Sequence, residues 1–349
     1  MNFSEILQNL LFPPLPLPTL STHHDIEVNK WPVYNNNDMN RKLCLLISHG
    51  NAVHELFFIE CINQFLQNYA NISKPHDESP PVPTMVNTNN NTFVDSPKQS
   101  TQCLIFCFHK SWSIYEKLLN PIHAANNVSL KNNFTIIDMT MMLQDLLLIS
   151  NQNAQLDNDD KGVTTDENIG TIIKNYIKDK TDEFLKNNST ENPSDDVRQQ
   201  QQQQQNIGIF IDNISALYDL GVTVRELEQF LCSWLYNSRY SQTAINVANL
   251  LVCIGLHIGD HFQDSIVSEY EPALVHLVAL WKARASIILE CKPLLTGYTS
   301  LVDGQLICWK SSITNNNDLQ NVTTSSTYHF HVEGKHINCY TPGTTKLLT

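Results

Sequence analysis

The segment Leu43-Cys-Leu-Leu-Ile47 is an unbroken apolar run closed by Ser48-His49-Gly50. A strand without polar alternation is buried on both faces, and burial on both faces belongs to parallel sheets covered by helices. From Val53 to Tyr69, the residues Leu56, Ile59, Ile62, Phe65, Leu66 and Tyr69 recur at helical spacing. Strand, tight loop and helix in that order open a βαβ unit. The unit repeats. A strand at Cys103–Phe108 precedes a helix at Trp112–Leu119, and a strand at Phe134–Ile137 precedes one at Met141–Ile149. Ile207–Ile211 is a strand ending in Asp212, followed by a helix at Val224–Tyr236. Val247–Ile258 and Ser286–Glu290 are further strands, with a helix at Pro272–Trp281 between them. The end of the chain changes character: Gln305–Lys310, Thr327–Val332 and His336–Tyr340 are short strands, the last two joined through Glu333-Gly334-Lys335 as a hairpin. The expected fold is α/β, a mostly parallel sheet flanked by helices and finished by antiparallel strands.

Length alone, at roughly 150 residues per domain, would suggest two or three domains. Asn, Gln, Ser and Asp are concentrated in three polar tracts, 71–101, 150–206 and 311–326, the second containing the run Gln199–Gln205 and one amphipathic helix at Ile169–Leu185. These tracts are too polar to bury much surface and read as insertions. The remainder, with 42% hydrophobic residues over the whole chain, suits one domain over 43–349. Residues 1–42 form an N-terminal docking segment and linker: an apolar opening (Phe3, Ile6, Leu7, Leu10, Leu11) and then the Pro-rich stretch Pro13–Pro18, which stops a helix. The start lacks the charged leader of a secretory signal and no stretch is apolar enough to span a bilayer, so a soluble protein without a membrane partner is expected. The nine cysteines, mostly inside apolar runs and without a C-x-x-C pair, read as reduced core thiols of a cytoplasmic or nuclear protein. Asp and Glu total 35 against 22 Lys and Arg, a formal charge of -13. That balance argues against a chain that binds nucleic acid unaided.

Strand, loop, helix and a later strand ending in Asp is the layout of a P-loop nucleotidase. That chemistry needs glycines so that backbone N–H groups cradle phosphates, a Lys for the terminal phosphates, and Ser or Thr on Mg²⁺. At the corresponding place stand Ser48, His49, Gly50 and Asn51, followed by Ala52-Val53-His54-Glu55: one Gly, no Lys, and a carboxylate where phosphate charge would sit. The loop is degenerate, and no catalytic residue and no cofactor are assigned. Asp212 holds the metal-organising position of such a fold, although an Asp closing a buried strand more often serves a turn or cap. His329 and His331 share one strand face, with Cys339 across the hairpin, and His257 and His261 are four apart with Gly259 between them. Neither group shows the clustered four-ligand spacing of zinc, so no metal is assigned. Cys232 lies among Leu231 and Trp234 with no basic neighbour and reads as a core thiol. The stripe Leu227, Phe230, Leu231, Trp234 and Leu235 fits a core or a subunit interface equally well.

Several segments, in order, resemble one family. These are Met1-Asn-Phe-Ser-Glu-Ile-Leu-Gln-Asn-Leu-Leu11, Ile209-Phe-Ile-Asp-Asn-Ile-Ser-Ala-Leu-Tyr-Asp-Leu-Gly221, Leu294-Leu-Thr-Gly-Tyr298 with Val302-Asp-Gly-Gln-Leu306, and Tyr328-His-Phe-His-Val-Glu-Gly-Lys-His-Ile-Asn-Cys-Tyr340. Together they resemble Elongator complex subunit six, a member of the subunit four-five-six group with RecA-like folds. The resemblance implies a non-catalytic subunit that assembles with Elongator subunits four and five into a hetero-hexameric ring. It further implies that this ring binds tRNA, serving wobble-uridine modification by the catalytic Elongator subcomplex, in the cytoplasm or nucleus. Expected ring contacts are Leu227, Phe230, Leu231 and Trp234 on one helix, and Tyr328 and Phe330 on the C-terminal strands. The loop Gly255–Glu271, with Asp260, Asp264, Glu269 and Glu271 and no Lys or Arg, repels phosphate, so RNA contact is expected to need basic partner loops. The alternatives are an active RecA-type ATPase completed in trans, with Arg225 or Arg284 as a finger, and a stand-alone scaffold.

Overall fold

The computed structural model describes residues 1–11, 40–49, 54–69, 100–126, 134–144, 169–188, 205–236, 247–258, 271–294, 299, 301–312 and 322–343. Nine strands are described: β1 (Asn40–His49), β2 (Ser100–Cys107), β3 (Phe134–Asp138), β4 (Gln205–Ile211), β5 (Val247–Ile258), β6 (Ile287–Lys292), β7 (Gly304–Ser312), β8 (Val322–Glu333) and β9 (His336–Tyr340). The helices are α1 (Phe3–Leu11), α2 (His54–Tyr69), α3 (Trp112–Asn126), α4 (Ile169–Asn188), α5 (Ser215–Asp219), α6 (Val224–Tyr236) and α7 (Glu271–Arg284). Residues 139–144 form one further helical turn. The remainder of the expected Met141–Ile149 helix lies outside the described residues.

All nine strands join one sheet in the order β3-β2-β4-β5-β1-β6-β7-β8-β9. From β3 to β6 neighbouring strands are parallel, and from β6 to β9 they are antiparallel. The fold is therefore α/β with the expected mixed sheet. Its order is RecA-like: β5 is inserted between the loop-bearing β1 and the Asp212-bearing β4. Among the described residues no helix is long and apolar enough to cross a membrane.

Strand periodicity sorts the apolar residues into two cores, one on each side of the sheet. Leu43, Leu45 and Ile47 of β1 join Leu104, Ile209, Val252 and Ile254 beneath α4 to α7. Cys44 and Leu46 point the other way, with Ile105, Phe210 and Cys253, beneath α1 to α3. Helix α1 buries Phe3, Ile6, Leu7 and Leu11 in this second core, each side chain contributing about 1.5–3 kcal/mol when fully withdrawn from water. The apolar face of the N-terminal segment is thus covered by its own chain. Lys42 Nζ donates to the Leu11 carbonyl, and the Cys339 amide donates to the Met1 carbonyl at 2.9 Å, so both ends of α1 are tied to the sheet.

Four tract boundaries need correction. β2 begins at Ser100, β4 at Gln205 and β8 at Val322, and β7 runs on to Ser312, all inside stretches expected to be insertions. In β4 the reason is a polar pair: Asn206 is wholly buried, and the Asn249 Nδ2 donates to its Oδ1 at 2.8 Å across the β4–β5 register. In β8 the polar residues 324–326 are exposed while their backbone pairs with β7. The hairpin turn lies where expected, with Gly334 at φ 62°. Gly304 opens β7, opposite Phe330, and a Cβ there would stand 2.7 Å from the Phe330 ring.

Candidate functional site at the carboxyl edge of the parallel strands

In a parallel α/β sheet, ligands gather beyond the carboxyl ends of the strands, next to the helix N-termini. Here β1 ends at Ser48-His49, β4 runs into Asp212, β2 into His109, and β5 carries His257. Gly50, Asn51 and the rest of 50–53 lie outside the described residues. The chain resumes with His54 as the first residue of α2, 1% exposed.

His54 Nε2 lies 2.5 Å from the Asp212 carbonyl oxygen, and its Nδ1 lies 2.9 Å from Ser48 Oγ, which is 3.2 Å from His257 Nδ1. A carbonyl only accepts, so Nε2 carries the proton and Nδ1 accepts from the serine hydroxyl. Ser48 Oγ in turn accepts from His257 Nδ1–H. Burial, opposed by the bond to the Asp212 carbonyl, depresses the His54 pKa to about 4 and keeps the ring neutral. The close approach of β5 to this knot depends on Gly255: a Cβ there would lie 1.8 Å from the Asp212 carbonyl oxygen and 2.8 Å from His54 Nε2.

The Asp212 carboxylate is wholly buried and turned toward β2 and α3. Oδ1 accepts from the Phe108 amide at 2.6 Å, and Oδ2 from the His109 amide and the Tyr115 hydroxyl, both at 2.8 Å. Burial raises its pKa, and these three donors oppose the shift. Burial and the neighbouring Asp212 push the Tyr115 hydroxyl far up, so it stays a donor. The carboxylate thus cross-links β4 to the β2–α3 connection, whereas a metal-organising acid would need an oxygen facing the β1–α2 loop.

Two further carboxylates close the edge. Glu55 Oε1, in the first turn of α2, lies 3.1 Å from His109 Nε2 and 3.6 Å from Lys110 Nζ. The His109 bond, opposed by burial, holds Glu55 down at about 2. Glu290, 3% exposed on β6, meets His49 Nε2 at 3.0 Å, Lys282 at 2.9 Å and Lys292 at 3.1 Å. Burial pushes Glu290 up, and its bonds from His49 and Lys282 with the two lysine charges bring it to about 2. Asp138 at the end of β3 caps the next element, accepting from the Trp112 amide at 2.8 Å and the Thr140 amide at 3.1 Å.

The imidazoles of His54, His109 and His257 stand 5.9 to 6.5 Å apart between ring centres. The structure thus brings Ser48 and Asp212 into one network, joined through His54, while His49 belongs to the Glu290 cluster. Sequence reasoning missed His54 and His109 as partners. No spacing links residues 55 positions apart, and the readable signal was only that each follows a buried strand end. Of the other histidines, His329 pairs with Tyr340 and His331 with Asn338, while Cys339 is opposite Phe330. Successive residues of a strand face opposite sides, so the histidines and Cys339 lie on opposite faces of the hairpin. His261 lies outside the described residues.

The expected interface residues need correction. Leu227 (0% exposed) and Phe230 (5%) are interior to the first core. Phe330 (2%) is interior to the second, its ring 5.2 Å from that of Phe57 in an edge-on contact. All three are filled by intrachain packing. Tyr328 is half-buried against the second core. The side chains of Leu231, Trp234 and Arg284 lie outside the described residues, and Arg225 is exposed.

Chemically, this edge differs from a phosphate cradle. A cradle keeps donors and a cation free for the ligand. Here the α2 N-terminus carries a neutral imidazole and a carboxylate, and the buried acid is saturated by protein donors. No family model matches the chain, and no curated protein matches it either. Among solved structures it is similar to the flagellar accessory protein FlaH from Methanocaldococcus jannaschii, at 11% identity and a TM-score of 0.36, over 86% of this chain and 89% of that one. A likeness of that size carries no functional weight, and the RecA-like description rests on the strand order.

Proposed function

We propose that the chain is a non-catalytic, RecA-like assembly subunit of the Elongator type, joining two related subunits, the fourth and fifth, in a hetero-hexameric ring that binds tRNA. The observation that carries this reading is the internal pairing of the polar groups described at the carboxyl edge. Where a nucleotidase presents phosphate ligands, His54, Glu55 and Asp212 are bound to Ser48, His109 and Tyr115 of the same chain. A fold that retains the P-loop layout and spends its polar groups internally suits a subunit whose contribution is shape and contact. The ordered family-like segments support the specific reading: α1, the stretch from Ile209 to Gly221, Leu294 to Leu306, and the β8–β9 hairpin.

With a formal charge of -13, the chain has little attraction of its own for phosphate, so tRNA affinity belongs to the assembled ring with basic neighbours. The test is affinity purification of the tagged full chain from its own cells at moderate salt, with mass spectrometry of the co-purified proteins and native mass of the eluate. Two further RecA-like subunits in a ring-sized particle are expected. A folded monomer without partners would overturn the reading, as would submicromolar tRNA binding by the purified single chain.

A further inference from the structure

The second core contains a feature that the closed edge does not use. Cys44 of β1 and Cys253 of β5 are direct neighbours in the parallel register, and Cys61 of α2 projects onto them. The three sulfurs lie within 4.8 Å of one another. All three residues are 0% exposed, inside the core that holds Phe57, Phe58, Ile62 and Leu46. Among the described residues, no carboxylate or imidazole joins the group.

We propose that Cys44, Cys61 and Cys253 form a three-thiol site for a trivalent thiophilic centre of the arsenite class. Three features select that chemistry. Sulfur-only ligation favours a soft ion over a hard one. Three ligands without a fourth disfavour the closed tetrahedral site that structural zinc requires. Charge then decides among the soft ions. Three thiolates around a monovalent or divalent ion leave a net negative charge in a dry core, where an uncompensated charge costs several kcal/mol. A trivalent centre is neutral. The step also balances: three S–H and three As–OH bonds break, three As–S bonds form, the protons leave with the hydroxides as three waters, and no oxidation state changes. With ion–sulfur bonds of ~2.3 Å, sulfurs on one three-coordinate centre stand roughly 3.5–4 Å apart. Sulfurs all within 4.8 Å of one another need at most about an ångström of contraction to reach that spacing.

The test uses the full chain, reduced with a phosphine and titrated with arsenite under native mass spectrometry. The expected result is one arsenic per chain with loss of three hydrogens. It should be retained in Cys103→Ala, a buried thiol outside the triangle, and lost in Cys61→Ala and Cys253→Ala. Because a core variant can fail to fold, wild-type protein provides an independent measurement: maleimide labelling of Cys44, Cys61 and Cys253, followed by peptide mass, should slow at least tenfold with arsenite while Cys103 is unchanged. No uptake, uptake undiminished in Cys253→Ala, unchanged labelling, or stoichiometric uptake of zinc or cadmium in preference to arsenite would each overturn the proposal.

Discussion

Replacing Asp212 separates the cross-linking role from a metal-binding one. The carboxylate receives hydrogen bonds from two backbone amides and one hydroxyl, of which the Phe108 amide and the Tyr115 hydroxyl are buried away from water. Asp212→Ala strands all three donors. At about 1–3 kcal/mol for each buried unsatisfied group, partly relieved by Tyr115 rotation, the loss is roughly 3–6 kcal/mol. Asp212→Asn is subtler. The carboxamide oxygen can keep one amide donor, but its NH₂ must then face the other, and Tyr115 must turn its lone pair toward the amide. Removing a charge from a buried position returns part of the energy, because burial already disfavours the ionised form. The lost charge-assisted bonds outweigh that gain, leaving a net destabilisation of about 2–3 kcal/mol.

Urea unfolding followed by circular dichroism reads both values. With a slope of ~2–3 kcal/mol per molar, the midpoint should fall by about 1 M for Asp212→Asn and further for Asp212→Ala, without a change in slope. Tyr115→Phe closes the argument as a double-mutant cycle with Asp212→Ala, with a coupling of about 1–2 kcal/mol. An Asp212→Asn midpoint within about 0.3 M of wild type would refute the reasoning, because a carboxylate reserved for a metal ion could be neutralised without loosening the apo fold.

Two other outcomes follow from the same edge. His54 is fully buried with its pKa depressed from 6.5 to about 4, so its contribution is present above pH 6.5 and is lost as pH falls toward 4. Roughly 3 kcal/mol should disappear across that window, and the carboxylates Glu55 and Glu290, held at about 2, extend the loss from pH 4.5 downward. Urea midpoints at pH 7, 5.5 and 4.5 should show the decline, and His54→Asn should flatten it between 6.5 and 4; an unflattened slope would remove His54 as its source. Magnesium ATP at millimolar concentration should leave the melting temperature of the isolated chain unchanged. A ligand at a hundred times its dissociation constant would add about 2.7 kcal/mol, so a clear upward shift would show an open nucleotide site and favour the ATPase alternative.

The strands were legible because two-sided burial leaves an unambiguous mark: runs such as Leu43–Ile47 and Ile207–Ile211 have no polar position to mislead. Their ends were less so. Asn206 and residues 322–326 read as insertion, yet a side-chain amide pair and backbone pairing with β7 bring them into the sheet. For Leu227, Phe230 and Phe330 the interface assignment failed for a related reason. Apolar periodicity marks the buried side of a helix without saying what buries it, and for Leu227 and Phe230 the cover is the chain's own sheet. At the site, the degenerate loop was readable from what it lacks. What replaces the missing groups was not, because His54, His109, Tyr115 and Asp212 come from four separate segments and meet only through strand order.

On the proposed reading, that replacement bears on why the layout persists without its chemistry. A phosphate cradle is under-satisfied when empty: its amides and cation wait for a ligand, and part of the fold's stability arrives only with it. Here the same position is filled by groups that complete one another. The neutral His54 closes the β4 carbonyl, Asp212 closes the β2 amides, and Glu290 is compensated by His49, Lys282 and Lys292. The described groups at this edge therefore satisfy one another without a bound phosphate. On the proposed reading, the parallel sheet holds its shape unaided, and a chain of formal charge -13 leaves phosphate recognition to basic chains beside it.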